Sequence, residues 1–141
     1  MIQDGSYNWK GTFSYNEEEY GHQDEVTFEL FVQVKSGKIS GVCYDEEFRD
    51  YHKDALPKVT GRIEDFNIYF TVSYPVGFSI DDEKNLIYDP NEKGHEVHYA
   101  GIFEAKENRW FGIWEILPSE ETIDGKTIYQ DYSTGEWEII L

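Results

Sequence analysis

The 141-residue sequence lacks the features that would cross-link it or insert it in a membrane. It holds one cysteine, Cys43, so no disulfide can form within the chain. It has no run of about 18 apolar residues that could cross a bilayer as a helix. The first ten residues, MIQDGSYNWK, have neither the basic nor the apolar segment of a secretory signal. We therefore expect a single domain over residues 1–141, cytoplasmic localisation and no membrane partner.

Positive charge is also scarce. The chain has 12 Lys and Arg residues against 29 Asp and Glu, and its formal net charge is −17. Binding to nucleic acid or to anionic lipid depends on clusters of Lys and Arg, so the composition argues against both partners. The excess of acidic residues either keeps the molecules soluble and apart or suits a basic partner or a cationic ligand.

Motifs for catalysis and for cofactor binding are missing too. The sequence contains no Ser/His/Asp order, no glycine-rich phosphate loop and no HExxH. His95 and His98 are three residues apart, a spacing that puts them on opposite faces of a strand. We therefore expect a protein that is not an enzyme and uses neither a metal nor another cofactor.

What the sequence does have is alternation and many aromatic residues. Its 4 Trp, 11 Tyr and 9 Phe make up 17 % of the chain, whereas disordered acidic chains are poor in aromatics, so this chain folds. Apolar and polar residues alternate in three hairpin-like segments, EVTFELFVQVKSGKISGVCYD, KVTGRIEDFNIYFTVSY and HYAGIFEAKENRWFGIWEI. TIYQDYSTGEWEIIL predicts a fourth hairpin that turns at STG, and PVGFSIDDEKNLIYDPNEKG predicts a long irregular connection. The order of hairpins predicts an all-β protein of about eight antiparallel strands with up-and-down connectivity.

Glycines recur on the apolar face of these predicted strands. The positions that share the parity of the apolar residues are Gly11, Gly41, Gly61, Gly101 and Gly112. Glycine weakens a strand interior but allows a sharp bend or a close backbone approach. A small closed barrel needs such bends and a flat open sheet does not, so the pattern favours a β-barrel over a two-sheet sandwich.

The ordered motifs W-x-G-x-F, G-x-I-x-G-x-x-x-D, V-x-G-x-I, Y-x-G-x-F and W-x-G-x-W-x-I, with a closing G-x-W-x-I, resemble the calycin superfamily of lipocalin-like and avidin-like barrels. The likeness is greatest to its small uncharacterised bacterial members and covers residues 7–141. It implies a barrel of about eight strands with a ligand cavity at one mouth. GVCYD and GIWEIL correspond to avidin strands that line the biotin pocket. Cys43 and Asp45 stand where avidins have a tyrosine and a threonine, so biotin is not carried over.

Seven residues of inward parity form the candidate ligand site. They are Trp9, Cys43, Asp45, Tyr74, Tyr99, Trp110 and Trp114. Either these side chains line a pocket for a small apolar or aromatic molecule, or they fill the interior of a non-catalytic protein-interaction module with an acidic surface. Asp45 has two alternative roles: it anchors the ligand, or it accepts hydrogen bonds from loop amides and so caps them. Cys43 has no basic neighbour in the sequence, which favours an inert buried thiol over a nucleophile.

The opposite parity identifies a candidate interaction face. Phe31, Tyr69, Phe111 and Ile113 are apolar or aromatic residues that fall on the outer side of the predicted strands. If they lay on adjacent strands they would form one exposed patch, and such patches often mark sites of association. We therefore predict a possible homodimer through this outer face.

Overall fold

The structure, a computed structural model, is all-β. It describes residues 2–15, 25–46, 56–74, 76–80, 86–93, 96–123, 125–130 and 132–141. Eight strands form a closed barrel in the order β1-β12-β9-β8-β5-β4-β3-β2, and each neighbouring pair is antiparallel. The all-β, up-and-down barrel predicted from the sequence is confirmed.

The barrel strands are β1 (Gly5–Tyr15), β2 (Val26–Lys35), β3 (Lys38–Asp45), β4 (Lys58–Glu64), β5 (Asn67–Ser73), β8 (Glu96–Glu104), β9 (Arg109–Ile116) and β12 (Ser133–Ile140). Four further strands pair outside the barrel as two ribbons. One ribbon joins β6 (Val76–Ile80) to β7 (Leu86–Lys93), and the other joins β10 (Ser119–Ile123) to β11 (Lys126–Gln130).

The two ends of the barrel differ in how the strands are connected. At one end, which we call the turn end, the strands are joined by the short turns at residues 36–37, 65–66 and 105–108. At the other end, the connection end, they are joined through residues 16–25, 46–57, 74–95 and 117–132. The long connections therefore all leave from one end, and this end carries the candidate site described below.

The inward parity predicted from the sequence is confirmed by burial. On β9, Trp110 and Trp114 are each 2 % exposed, while Ile113 between them is 54 % exposed. The same alternation on the other barrel strands builds one core. Its members are Trp9, Phe13, Phe28, Leu30, Val32, Val34, Ile39, Cys43, Val59, Ile63, Ile68, Phe70, Val72, Tyr74, Val97, Tyr99, Trp110, Trp114, Ile116, Trp137 and Ile139.

Two of the glycines face each other where β8 and β9 approach closely. Gly101 and Gly112 are cross-strand partners. A Cβ on Gly112 would press against the carbonyl oxygen of Ala100, and one on Gly101 would press against that of Phe111. Both obstacles are main-chain atoms of the neighbouring strand. The glycines thus permit a backbone approach that any side chain would prevent, which is the close packing that a small barrel requires.

Two local predictions were wrong. The segment TIYQDYSTGEWEIIL does not form a hairpin at STG, because Ser133, Thr134 and Gly135 are the first residues of β12. β12 pairs with β9 and β1 and so closes the barrel, whereas β11 pairs with β10. The segment PVGFSIDDEKNLIYDPNEKG, predicted to be an irregular connection, contains the β6–β7 ribbon.

Candidate functional site

A buried carboxylate and a buried phenol meet inside the barrel at the connection end. Asp45 is the last residue of β3 and is fully buried, and Tyr74 directly follows β5 and is 8 % exposed. The Tyr74 hydroxyl donates a hydrogen bond to Oδ2 of Asp45 at 2.6 Å. β4 lies between β3 and β5 in the barrel, so the two side chains meet across the interior.

Main-chain hydrogen bonds fix the end of β3 that carries Asp45. The amide of Cys43 donates to the carbonyl of Pro57 at 2.9 Å, just beyond the last β3–β4 ladder pair. The amide of Glu46 donates to the carbonyl of Thr27 at 3.0 Å and prolongs the pairing with β2. Because both neighbours of this strand end hold it, Asp45 has a defined position rather than a loose one at a frayed terminus.

Cys43 and Tyr99 complete a polar cluster with this pair. Burial raises the pKa of the Cys43 thiol well above its ordinary value of 9.0, and the charge of Asp45 raises it further. Burial also raises the pKa of Tyr74 well above 10.0. Smaller contributions in the same direction come from the charges of Asp45, Cys43 and Tyr99 and from the hydrogen bond to Asp45. At neutral pH the thiol and the Tyr74 phenol are therefore protonated. A protonated, buried thiol is a poor nucleophile, so the cluster is suited to hydrogen bonding rather than to covalent catalysis.

Aromatic rings surround Tyr99 inside the barrel. The Tyr99 ring stacks on Phe70 with centroids 4.5 Å apart and an interplanar angle of 8°. Trp137 meets both rings edge-on, at 5.3 Å from Phe70 and 5.8 Å from Tyr99. Phe28 lies 6.1 Å from Tyr99. These rings fill the barrel around Tyr99 and form an apolar wall beside the polar cluster.

The remaining predicted site residues lie at different levels of the barrel. Trp114 is the cross-strand partner of Tyr99, and its Nε1 donates to the carbonyl of Ser14 at 2.9 Å. Trp9 is buried on β1, where its ring lies 5.6 Å from that of Tyr7. Trp110 shares the inward face but lies at the turn end, near Phe103, with ring centroids 5.1 Å apart. The structure thus brings together Cys43, Asp45, Tyr74 and Tyr99, with Trp114 beside them, but it does not bring Trp110 to this cluster.

Two residues of this region were missed by the sequence analysis. Trp137 is 3 % exposed, and its Nε1 donates to the carbonyls of Ile113 at 3.0 Å and Ala100 at 3.3 Å. It alternates with Gly135 and Ile139 on β12, so the alternation contained the signal, but assigning STG to a turn hid it. Ser133 is a buried polar residue at the connection end. No sequence pattern marks it, because the pairing that buries it joins distant segments.

The four predicted outer residues do not form one patch. The guanidinium carbon of Arg62 lies over the Tyr69 ring, 4.5 Å from the ring centroid. The guanidinium carbon of Arg109 lies over the Phe111 ring in the same way, 4.4 Å from its centroid. Both rings are on the β5–β8–β9 side, as is Ile113. Phe31 is 43 % exposed, as its outward parity predicts, but it lies on β2, which β3 and β4 separate from β5. Dimerisation through the outer face that carries Phe31, Tyr69, Phe111 and Ile113 stays a prediction.

In the part of the chain that the structure describes, no helix is long and apolar enough to cross a membrane. Within the same residues, no group of three or more His, Cys, Asp or Glu side chains is placed to hold a metal ion. No protein-family model, no curated protein and no solved structure matches this chain. The barrel and its buried polar cluster are therefore the observations from which a function can be argued.

Proposed function

We propose that this protein binds a small apolar or aromatic molecule at the connection end of the barrel, with Asp45 as the polar anchor. The buried Asp45–Tyr74 pair is the observation that carries the proposal. A carboxylate withdrawn from water is costly unless it is hydrogen-bonded, and Asp45 lies inside a barrel whose other inward residues are mainly apolar. An ionised carboxylate is an acceptor only, so it suits a ligand that offers an N–H or O–H donor.

The apolar part of the ligand would lie against the aromatic side chains next to this pair. Tyr99 and Trp114 are direct cross-strand partners on β8 and β9. Ligand pockets commonly combine such apolar and aromatic walls with a few convergent polar groups. The affinity would come mainly from buried apolar area, at about 25 cal/mol per Å², and Asp45, Tyr74 and Tyr99 would set the orientation.

We also infer that the barrel is calycin-like. Its eight antiparallel strands in closed up-and-down order are compatible with that superfamily. The long connections at one end and short turns at the other match a barrel with a single ligand mouth. This inference supports the choice of the connection end as the entrance.

A second candidate function is protein interaction without a ligand. It is favoured by the rings of Phe28, Phe70, Tyr99 and Trp137, which are in mutual contact within the barrel. An eight-stranded barrel can be filled by its own side chains. In that case the acidic surface, with its net charge of −17, would be the functional part and would select a basic partner.

Native mass spectrometry of freshly purified protein, followed by melting measurements across a metabolite library, tests the first function. We expect a co-purified small molecule or a library compound that raises the melting temperature. Asp45→Asn should weaken the apparent affinity at least tenfold and so reduce the rise in melting temperature. The substitution removes the charged acceptor but keeps the side-chain shape. Tyr132→Phe is the matched control, since Tyr132 donates to Glu115 at an exposed position.

Two results would contradict the ligand function. One is an empty protein with no melting shift across the library, and the other is a shift that Asp45→Asn leaves unchanged. Either result would favour the interaction module, which predicts instead that the immobilised protein retains a basic protein partner whose binding weakens with salt.

A further inference from the structure

A cavity lies at the turn end, away from the Asp45 cluster. Its volume is about 210 Å³, and it is lined by Ile2, Asp65, Phe66, Phe103, Asn108, Trp110 and Leu141. Most of these side chains are apolar, and Asp65 is the one charged group among them. At the rim, Phe66 is 62 % exposed. The cavity thus combines an aromatic lining with an opening to solvent.

Hydrogen bonds brace the segments that form the cavity. The amide of Phe103 donates to the carbonyl of Phe66 at 2.8 Å, which ties the β4–β5 turn to β8. The amide of Leu141 donates to the carbonyl of Asn108 at 3.0 Å, and Nδ2 of Asn108 donates back to the carbonyl of Leu141 at 3.1 Å. These bonds tie the β8–β9 turn to the residue that follows β12. The walls are therefore pre-formed, which lowers the entropy cost of binding.

Trp110 supplies the polar feature of this cavity. Among the buried side-chain nitrogen and oxygen atoms of the described residues, its Nε1 is the one without a hydrogen-bond partner. A buried donor without an acceptor is unfavourable and calls for an explanation. Trp110 lines the cavity, so its N–H lies within the width of one indole ring of that space. A ligand acceptor that reached this N–H would satisfy it.

We propose that the turn-end cavity is a binding site for a neutral molecule with one aromatic ring and a hydrogen-bond acceptor, such as a carbonyl or ether oxygen. The size follows from the volume, because a cavity of about 150 Å³ already holds benzene and drug-sized ligands need about 300 Å³ or more. The acceptor follows from the Trp110 N–H. Asp65 and the net charge of −17 disfavour an anion, and the mainly apolar lining makes the burial of any charged group costly, so the ligand is neutral.

Acetophenone and ethylbenzene are suitable probes, because they share a ring and similar size and differ in the carbonyl acceptor. Binding is followed by the indole N–H resonances of the ¹⁵N-labelled full chain, with the Trp110 resonance assigned by its loss in Trp110→Phe. We expect acetophenone to move the Trp110 resonance downfield in a saturable manner and to leave that of Trp114 in place. We expect ethylbenzene to bind about fivefold more weakly, the factor that one neutral hydrogen bond supplies.

Two variants sharpen the test. Phe66→Ala removes an exposed wall of the cavity and should weaken both probes at least fivefold. Phe31→Ala is its matched control, since Phe31 is 43 % exposed on the outer face of β2 and should leave both affinities unchanged. Trp110→Phe should remove the preference for acetophenone over ethylbenzene. If that variant does not fold, triple-resonance spectra of the wild type assign the Trp110 resonance, and this resonance and the Phe66 pair still decide the result.

Three results would overturn the proposal. They are a Trp110 resonance that does not move at saturating acetophenone, equal affinities for the two probes, and wild-type binding by Phe66→Ala. Acetophenone that moved the Trp114 resonance instead would bind near the Asp45 end. That result would also overturn the turn-end site, but it would leave the proposed function of the connection end intact.

Discussion

Trp110 and Trp114 share the inward face of β9, yet their indole N–H groups have opposite surroundings. The Nε1 of Trp114 donates to the carbonyl of Ser14 at 2.9 Å, whereas that of Trp110 has no partner in the described residues. Both side chains are 2 % exposed, so the two positions differ in hydrogen bonding and not in burial.

This difference predicts unequal costs for the same substitution. Trp114→Phe removes a donor and leaves the carbonyl of Ser14 without that part-buried hydrogen bond, while Trp110→Phe removes an unsatisfied donor. The loss of ring volume is the same in both variants. We expect Trp114→Phe to lower the free energy of unfolding by about 1–3 kcal/mol more than Trp110→Phe does. Urea denaturation followed by circular dichroism measures both values, and equal costs would contradict the interpretation.

The Asp45–Tyr74 hydrogen bond predicts a large effect for the loss of one oxygen atom. Tyr74→Phe leaves the fully buried Asp45 without the donor at 2.6 Å, and a hydrogen bond to a charged group contributes about 1.5–3 kcal/mol. Tyr132→Phe removes a hydroxyl that donates to Glu115 at an exposed site, and it should cost less than about 0.5 kcal/mol. Chemical denaturation at pH 7 compares the two variants. Similar costs would mean that Tyr74 does not stabilise the buried carboxylate.

The raised pKa of Cys43 predicts a loss of stability at alkaline pH. The unfolded chain loses the thiol proton near pH 9.0, while the folded chain retains it because of burial and the charge of Asp45. The contribution of the thiol to the free energy of unfolding is therefore fully present below about pH 9. As the pH rises from there toward the folded-state pKa, the free energy of unfolding falls by up to about 1.4 kcal/mol per pH unit.

Cys43→Ala isolates this contribution. The variant should be less stable than the wild type at pH 7, because it loses a buried side chain. Between pH 9 and 11 the unfolding free energy of the variant should decline less steeply than that of the wild type. The difference between the two slopes should correspond to the release of one proton on unfolding. Denaturant unfolding at several pH values gives both slopes. Parallel declines would show that the thiol is not responsible.

The facing glycines predict a steric effect. In Gly112→Ala the new Cβ would meet the carbonyl oxygen of Ala100 and main-chain atoms of Gly101, and these atoms can move only if β8 moves. We expect a destabilisation of about 1–3 kcal/mol, as for overpacking of a core. Ser40→Ala, at an exposed position of β3, should change stability by less than about 0.5 kcal/mol. Guanidinium midpoints test the pair, and a fully stable Gly112→Ala would refute the close approach.

Much of the barrel could be predicted because alternation is a local signal. The parity of Trp110, Gly112 and Trp114 on β9 assigned them to the inside correctly. Parity does not report the level along the barrel, however. Residues four apart on a strand are separated by about 13 Å. The inward face of β9 therefore places Trp114 next to Tyr99 but places Trp110 at the turn end, opposite Phe103.

The closure of the barrel could not be predicted from local patterns. β12 pairs with β1, so Trp137 lies opposite Phe13 although more than a hundred residues separate them in the chain. Turn-forming residue types at STG masked the start of this strand. The Asp45–Tyr74 contact has the same origin, since it crosses the interior between strands that are not neighbours. Inward parity identified both residues, but only the fold brings their oxygen atoms together.

The separation of long connections from short turns has a practical consequence for engineering. Doubling the length of a flexible loop costs only about 0.6 kcal/mol in closure entropy. None of the described residues within 117–132 belongs to the barrel ladder or to the core. New recognition sequences could therefore be grafted onto one rim of this scaffold, while the cavity at the opposite rim serves as an internal reporter that the graft has left the framework intact.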